Sequence, residues 1–352
     1  MLIYYVVLAL SCAAAPLCGK KCGKWGKIVY CAVFAVLFTV ISAIRFEVGH
    51  DFKSYGGMYA NMAFTDIEEA MLEKTEKGFY VPMYLFSLGY ESYWTVFVYT
   101  SVLIYPLVFA LIYKSSSKPW ISVCAFLCFG VFFNSLCFLR QIIAAVIIAY
   151  AIKYVGTKDY FRFLIFVIAA AALHWSALIM TVIYFFLRIK PSWLYLGIAA
   201  AGTALFCIFS RSAMLFLISK FDMYKAYNPD TNPEASTGLP MRYTIMFGIL
   251  YMVCFLFRKK LIEKNPNNGI YINCLMFTTI FEAMGMRHAI LSRFALLTYL
   301  PPILYLLPDA ADVIIRYVKE KKGKIAAAVS ASAIAVFSIA CYTILIINNY
   351  NG

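Results

Sequence analysis

The chain has 352 residues, of which 63% are hydrophobic and only 14% are charged, and its mean hydropathy is +0.79. Soluble globular domains carry about 25% charged residues, so this composition excludes a water-soluble domain and indicates an integral membrane protein. The net charge of +14 comes mostly from lysines scattered over short loops, which fits membrane orientation and gives no support for a nucleic-acid partner.

Long apolar runs cover most of the chain and lack the alternation expected of membrane barrel strands. A helix that crosses a hydrocarbon core of about 30 Å needs about 17 to 25 residues. We therefore expect an all-α polytopic transmembrane bundle of about 11 or 12 segments, forming one integral membrane domain over residues 1–352. The predicted segments are 2–17, 28–44, 94–113, 120–137, 141–155, 163–187, 193–209, 241–257, 270–286, 294–308 and 325–347.

The sixth segment, 163–187, decides the topology. The lysine-rich loop 18–27 marks the cytoplasmic face, because cytoplasmic loops carry an excess of Lys and Arg. If 163–187 crossed the membrane once, the basic loops from Arg188 to Lys264 would lie outside. We therefore predict a hairpin of two short helices that enters from the cytoplasmic side, with its apex near His174. All three histidines and six of the ten arginines then lie on the outer face.

Two longer segments also lie on the outer face in this topology. The first, 45–93, is acidic before residue 80 and apolar after it, and residues 79–90 predict a short interfacial helix rich in aromatic residues. The second, 210–240, is rich in Asn, Pro and Gly and predicts a flexible lid flanked by Arg211 and Arg242.

The outer arginines are the candidates for phosphate binding. Arginine binds phosphate in a bidentate manner, whereas the cytoplasmic lysines are explained as point charges that set the orientation. Arg140 lies beside Gln141 at the outer junction of two predicted spans, and this pair is the strongest candidate for a pyrophosphate site. The alternative for Arg140 is an anchor at the membrane interface.

Three further arginines are weaker candidates for pyrophosphate. Arg287 and Arg293 lie around the last outer loop, where Glu282 could instead neutralise one of them. Arg45 either binds phosphate or pairs with a nearby acid, Glu47 or Asp51.

Asp51, His174 and Glu76 are the candidates for a general base. Asp51 could equally cap the following helix, and His174 could be a packed core histidine. Tyr55 and Tyr80 are expected to stack on sugar rings or to pack at the interface, and His288 is a weaker catalytic candidate.

We expect no metal site and no cofactor. Cys18 and Cys22 have the spacing of a zinc or dithiol motif, but no second pair follows. The outer segments contain no Asp-x-Asp motif, and the chain contains no glycine-rich nucleotide-phosphate loop.

Five sequence blocks carry a resemblance to a known family. They read RFEVGHDFKSY at 45–55, EKGFY at 76–80, LRQ at 139–141, ALHWSAL at 172–178 and RFALLTYLPPILYLLP at 293–308. In content and order they resemble the EpsG family of Wzy-type bacterial exopolysaccharide polymerases, over about residues 1–310. His50 stands where Thr is common in that family and Phe52 where Tyr is common, so we expect residue 50 to have no role in the chemistry.

The resemblance implies a GT-C-like glycosyltransferase in the bacterial cytoplasmic membrane, with an active site facing the periplasm or exterior. The implied reaction moves a growing glycan from undecaprenyl pyrophosphate to the non-reducing end of a lipid-linked repeat unit. The implied partners are that lipid-linked oligosaccharide, the lipid bilayer and a chain-length regulator. The alternatives are a flippase for the same lipid, a membrane O-acyltransferase and a glycan ligase. A flippase is less favoured because the chain has no duplicated half.

Overall fold

The computed structural model describes residues 2–19, 21–62, 64–68, 76–220, 228, 238 and 241–350, and over these residues it contains helices and no strand. The helices of seven or more residues are α1 Leu2–Ala13, α2 Gly23–Ala43, α3 Phe52–Met62, α4 Lys77–Gly89, α5 Trp94–Ser115, α6 Pro119–Cys128, α7 Val131–Cys137, α8 Leu139–Ala151, α9 Tyr160–Leu173, α10 Met180–Leu187, α11 Trp193–Ile208, α12 Ser210–Lys220, α13 Arg242–Leu256, α14 Arg258–Lys264, α15 Asn268–Gly285 and α16 Leu307–Tyr350. Shorter helical turns are Ala15–Cys18, Lys153–Gly156, Trp175–Ile179, Ala289–Ser292, Arg293–Leu297 and Pro302–Leu306.

Four helical stretches are long and apolar enough to cross a membrane, namely Gly23–Ala43, Trp94–Ser115, Leu139–Gly156 and Pro302–Ile347. The bent pair of α6 and α7 makes a fifth if it forms one span. Other apolar helices have only 10 to 17 residues, including α1, α11 and α13. The chain is therefore a helical, multi-pass membrane protein, but among the described residues the predicted 11 or 12 segments reduce to four or five full-length candidates.

Two glycines account for differences from the predicted segments. Gly130 has a φ of 82° and lies between α6 and α7, which are bent by 56°, so the predicted span 120–137 is broken. A left-handed φ is readily adopted only by glycine and ends a right-handed helix. Gly323, with a φ of 84°, interrupts α16 in the same way. The sequence predicts a loop between the spans that end at 308 and begin at 325. In the structure the charged residues of this stretch before Gly323 are helical.

The run 163–187 folds back on itself. Tyr160 and Phe163 in α9 contact the ring of Tyr184 in α10, with centroid distances of 4.9 and 5.0 Å. His174, which ends α9, has an extended backbone and leads into the turn Trp175–Ile179. The two arms therefore lie side by side with their open ends together, as the predicted hairpin requires.

An ion-pair network joins several basic loops at one end of the bundle. Asp312 in α16 contacts Lys118 at 2.7 Å and Lys264 at 2.8 Å. It also contacts Arg316 at 3.0 Å, and Asp309 contacts Lys264 at 3.0 Å. Both aspartates are buried. The charge rule assigned the loops that carry these cations to the cytoplasmic face, and the network brings them to one end.

Helix α8 connects this end to the opposite one. Gly156, just beyond α8, lies against the side chain of Asn267, three residues after Lys264. The stretch Leu139–Gly156 has 18 residues, which rise about 27 Å as an α-helix. Arg140, at the beginning of α8, therefore lies about a membrane thickness away from the ion-pair network.

Candidate active site

Arg140 is the second residue of α8 and anchors a polar cluster. Its Nη1 donates to the Oε2 of Glu76 and, at 2.9 Å, to the hydroxyl of Tyr80. The guanidinium carbon also lies 5.5 Å from the centroid of the Tyr80 ring, within range of a cation–π contact. These contacts hold the side chain of Arg140 in place, and because it is 28% exposed a ligand can still reach it.

Glu76, at the residue before α4, links three partners. Its Oε2 binds Arg140, and its Oε1 lies 2.5 Å from the Nδ1 of His174 and accepts a hydrogen bond from the Trp175 backbone amide at 3.2 Å. Burial raises the pKa of Glu76, but the hydrogen bond and charge of His174, the charge of Arg140 and the Trp175 amide outweigh it, so the pKa lies below its usual value. The carboxylate is therefore ionised at neutral pH.

His174 lies between Glu76 and Gln141. The Nε2 of its ring is 2.6 Å from the amide nitrogen of Gln141, the residue after Arg140 in α8. With that amide donating, Nε2 is the acceptor and Nδ1, 2.5 Å from the Glu76 oxygen, carries the proton. Gln141 is only 4% exposed, and its Oε1 has no hydrogen bond within the described part of the chain. An unpaired acceptor therefore lies beside the imidazole.

Tyr55 and Asp51 border this cluster on the side of α3. Burial raises the pKa of Tyr55, while the Arg140 guanidinium acts in the opposite direction, so the phenol lies close to that cation. The rings of Tyr55 and Tyr80 are both buried, which supports packing rather than sugar stacking for them. Asp51 is half-buried, and it forms no side-chain hydrogen bond or ion pair with the described residues.

Arg45 lies outside the cluster and holds helix ends together. It is 5% exposed, and its Nη1 donates to the backbone oxygen of Ser42 at 3.0 Å and to the Ser42 hydroxyl at 2.8 Å. Its Nη2 donates to the Leu136 carbonyl at 3.0 Å, and the guanidinium carbon lies 4.6 Å from the Phe97 centroid. These contacts connect the end of α2 to α7, which favours a structural role over phosphate binding.

Gly49, in the same sequence block as Arg45, lies against the same carbonyl. Gly49 has a φ of 104°, and a Cβ there would lie 2.8 Å from the Leu136 oxygen, so this position requires glycine. Glu47 pairs with Lys53 at 3.2 Å and not with Arg45. The side chain of His50 is exposed.

Arg287, His288 and Arg293 lie on the turns that follow α15. Arg293 lies 5.6 Å from the centroid of Phe138, two residues before Arg140, and its turn packs against α8 and against Trp175–Ile179. Arg287 is exposed and His288 is buried. Arg293 is thus the member of this group that lies beside the cluster.

The predicted lid and its neighbours can be placed only in part. Arg211 lies in α12, Arg242 begins α13, and both are exposed. Residues 210–220 are helical, and most of the remaining segment to 240 lies outside the described residues. Glu282 is buried and forms no ion pair with the described arginines, so the neutralisation considered for it is not observed.

None of the contacts that assemble the cluster was predicted from the sequence. Two of them are the hydrogen bond from Arg140 to Tyr80 and the hydrogen bond from the Trp175 amide to Glu76. No local sequence pattern indicates these two hydrogen bonds, because the partners are 60 and 99 positions apart in the chain. The buried Asp309 and Asp312 were also missed, although their spacing on a helix with Arg316 four residues after Asp312 is a recognisable signal.

The cluster lies within a range of the chain that matches a known family. A model of the EpsG family matches residues 27–351, which is nearly the whole chain. No curated protein and no solved structure is significantly similar to the chain.

Proposed function

Because the chain belongs to the EpsG family, which is associated with polysaccharide polymerisation, we propose that it is a Wzy-type polysaccharide polymerase. The reaction moves a growing glycan from undecaprenyl pyrophosphate to the non-reducing end of a lipid-linked repeat unit, on the outer face of the bacterial cytoplasmic membrane. The observation that carries this proposal is the cluster in which one buried carboxylate, Glu76, joins the cation Arg140 to the imidazole of His174. A GT-C-like bundle with its site at the outer end fits the same proposal.

Arg140 is proposed to bind the pyrophosphate of the donor lipid. In the transfer step the bond between the anomeric carbon and the pyrophosphate oxygen breaks, and the leaving group gains negative charge that a fixed cation stabilises. The bonds from Arg140 to Glu76 and Tyr80 both use Nη1, and Tyr55 is a further hydrogen-bond partner, so part of the guanidinium remains as donor for phosphate oxygens. Glu76 acts here as a positioning residue, because it holds the guanidinium in one orientation.

His174 is proposed to be the general base. A carboxylate at Nδ1 fixes the tautomer in which Nε2 can accept a proton, and it stabilises the imidazolium that forms. The acceptor hydroxyl transfers its proton to Nε2 as its oxygen bonds to the anomeric carbon. Gln141 must then release Nε2, and its unpaired Oε1 can accept a hydrogen bond from another sugar hydroxyl. Asp51, half-buried at the edge of the cluster, is the alternative base.

Reconstitution with a single substrate tests the reaction. Purified protein in liposomes is supplied with a lipid-linked repeat unit and no other protein. A ladder of longer glycans together with released undecaprenyl pyrophosphate supports the polymerase. Movement of the lipid across the bilayer without extension would contradict it and favour the flippase alternative.

The choice of base is tested by two variants in the same assay. General-base catalysis contributes about 100- to 10,000-fold, so His174→Gln should lower kcat by that amount. Asp51→Asn should lower it by less than about tenfold, as an indirect neighbour would. The reverse order would assign the base to Asp51.

A further inference from the structure

An apolar groove begins directly beside the cluster. It has a volume of about 430 Å³ and lies between α4, α5, α8 and the end of α9. Gly78 is two residues after Glu76, Leu173 directly precedes His174, and Ile143 is three residues after Arg140. Residues that line the groove therefore lie within three positions of Glu76, His174 and Arg140 in the chain.

The other side of the groove opens towards the surface that lipid covers in a membrane. Val102 and Leu103 in α5 are 55% and 40% exposed, and Phe86 in α4 is 40% exposed. Since α5 is one of the full-length candidate spans, the exposed side chains of Val102 and Leu103 face the bilayer. A ligand in the groove would thus extend from the cation of Arg140 into the hydrocarbon region.

Two close contacts define the walls of the groove. Phe86 and Tyr99 stack with a centroid distance of 5.1 Å and an interplanar angle of 16°. Gly78 approaches α9 so closely that a Cβ would lie 2.8 Å from the Ala172 oxygen. A groove with such walls favours a ligand of matching shape, because a thinner ligand leaves part of the lining without van der Waals contact.

We propose that this groove holds the first isoprene units of a polyisoprenoid phosphate whose phosphate group lies at Arg140. The inference rests on the proposed function and goes further by assigning the lipid chain its own site. A ligand with an anionic head and a branched, bulky chain matches a cation at one end and a wide apolar groove behind it. The volume lies within the range of about 300 to 1,000 Å³ that is usual for ligand sites.

A binding experiment tests the groove without any glycan. Leu103→Trp fills the groove from a position where the side chain is partly exposed. If this variant does not fold, Val102→Trp fills the groove from the neighbouring position. The matched control is Gly202→Leu in a second apolar groove of about 310 Å³ between α11 and α15, where a Cβ would meet nothing within 4 Å. Binding of undecaprenyl phosphate and of hexadecyl phosphate to the purified full chain is measured by native mass spectrometry.

We expect the wild type to bind undecaprenyl phosphate in preference to hexadecyl phosphate. Lipid tails are as apolar as the groove, so the lipid chain gains binding free energy only from closer packing. Filling the groove with Leu103→Trp should therefore weaken undecaprenyl phosphate binding by about tenfold. Gly202→Leu should bind it as the wild type does. Equal binding of the two phosphates, retention of bilayer phospholipid in their place, or unchanged binding by Leu103→Trp would overturn the proposal.

Polymerisation assays separate this proposal from the proposed function. Repeat units are supplied on an undecaprenyl carrier, and Leu103→Trp should lose activity on it whereas Gly202→Leu should keep it. If the wild type polymerises and Leu103→Trp is as active as the wild type, the groove assignment fails and the polymerase stands. If the wild type binds undecaprenyl phosphate selectively but never polymerises, the polymerase fails and the groove assignment stands.

Discussion

Replacing Glu76 by Gln tests whether the cluster depends on one buried carboxylate. The change keeps the size of a side chain that is 8% exposed and removes its negative charge. Arg140 then lies beside a neutral amide, and His174 loses its anionic partner. Removing one partner of a buried ion pair costs about 3 to 5 kcal/mol. Because Arg140 is 28% exposed and Gln still accepts a hydrogen bond, we expect a loss of about 2 kcal/mol in the free energy of unfolding.

The pH dependence of this loss follows from the pKa of Glu76. That pKa is lower in the folded protein than its usual value of 4.5, so folding favours the ionised form. The stabilisation is therefore complete at pH values above about 4.5 and is lost as the pH falls through the lower, folded-state pKa. The difference in stability between wild type and Glu76→Gln should be constant near neutral pH and should shrink on acidification below about pH 4.5.

The measurement is denaturant unfolding in detergent micelles at several pH values. Glu91→Gln is the matched control, since Glu91 is exposed and forms no ion pair with the described residues. Equal stability of the Glu76 and Glu91 variants at neutral pH would refute the reasoning. A difference that grows on acidification would also refute it, because it would mean that the carboxyl group is neutral in the native cluster.

Three further predictions concern the site, the topology and the opposite end of the bundle. Arg140→Lys should lower polymerisation by about 100-fold, because an ammonium on a flexible stem lacks the planar fork that binds a carboxylate and a phosphate in fixed geometry. Arg162→Lys is the control: its side chain is 67% exposed at the other end, and the glycan ladder should be unchanged. A glycan ladder of wild-type length from Arg140→Lys would contradict the assignment of Arg140 to the pyrophosphate. Lys190→Cys and Lys260→Cys should not react with an impermeant maleimide added to intact cells. Lys53→Cys should react, since its side chain is 82% exposed and its segment, 45–93, is predicted to lie outside. Strong labelling at 190 and 260 would mean that 163–187 crosses once. Asp312→Asn should lower the free energy of unfolding by only about 1 to 2 kcal/mol, because the cationic partners of Asp312 are partly exposed, and it should not change polymerisation. An unchanged unfolding curve would show that the network adds no stability.

Much of the fold could be predicted from hydropathy and charge. Apolar composition requires burial in lipid, and a membrane requires that backbone groups pair within each segment, so the helical class follows directly. The charge rule also led to the fold-back of 163–187, which the contacts between Tyr160, Phe163 and Tyr184 display. The lengths of individual helices could not be predicted, because apolar residues continue through the bend at Gly130 and hydropathy does not register a change in φ.

The candidate site was predictable as separate residues and not as an arrangement. His174 and Glu76 are candidates because the reaction needs a general base, and Arg140 is a candidate because a charged group is costly near the hydrocarbon region. Arg45 met the same criterion, yet its guanidinium is used by the carbonyl of Leu136 and the oxygens of Ser42. Whether an arginine braces a loop or faces a ligand depends on which carbonyls lie nearby, and these come from distant parts of the chain.

The sequence alone determined that this is a helical membrane protein, and it predicted that the basic loops share one face and that arginine and histidine lie at the opposite end. These properties depend on the composition of each segment and on its transfer into lipid, so they can be summed along the chain. Only the tertiary structure decided that Glu76 joins Arg140 to His174 and that an apolar groove begins beside them. Such contacts depend on how helices pack and turn in three dimensions, and distances between residues 64 or more positions apart are not contained in any local pattern.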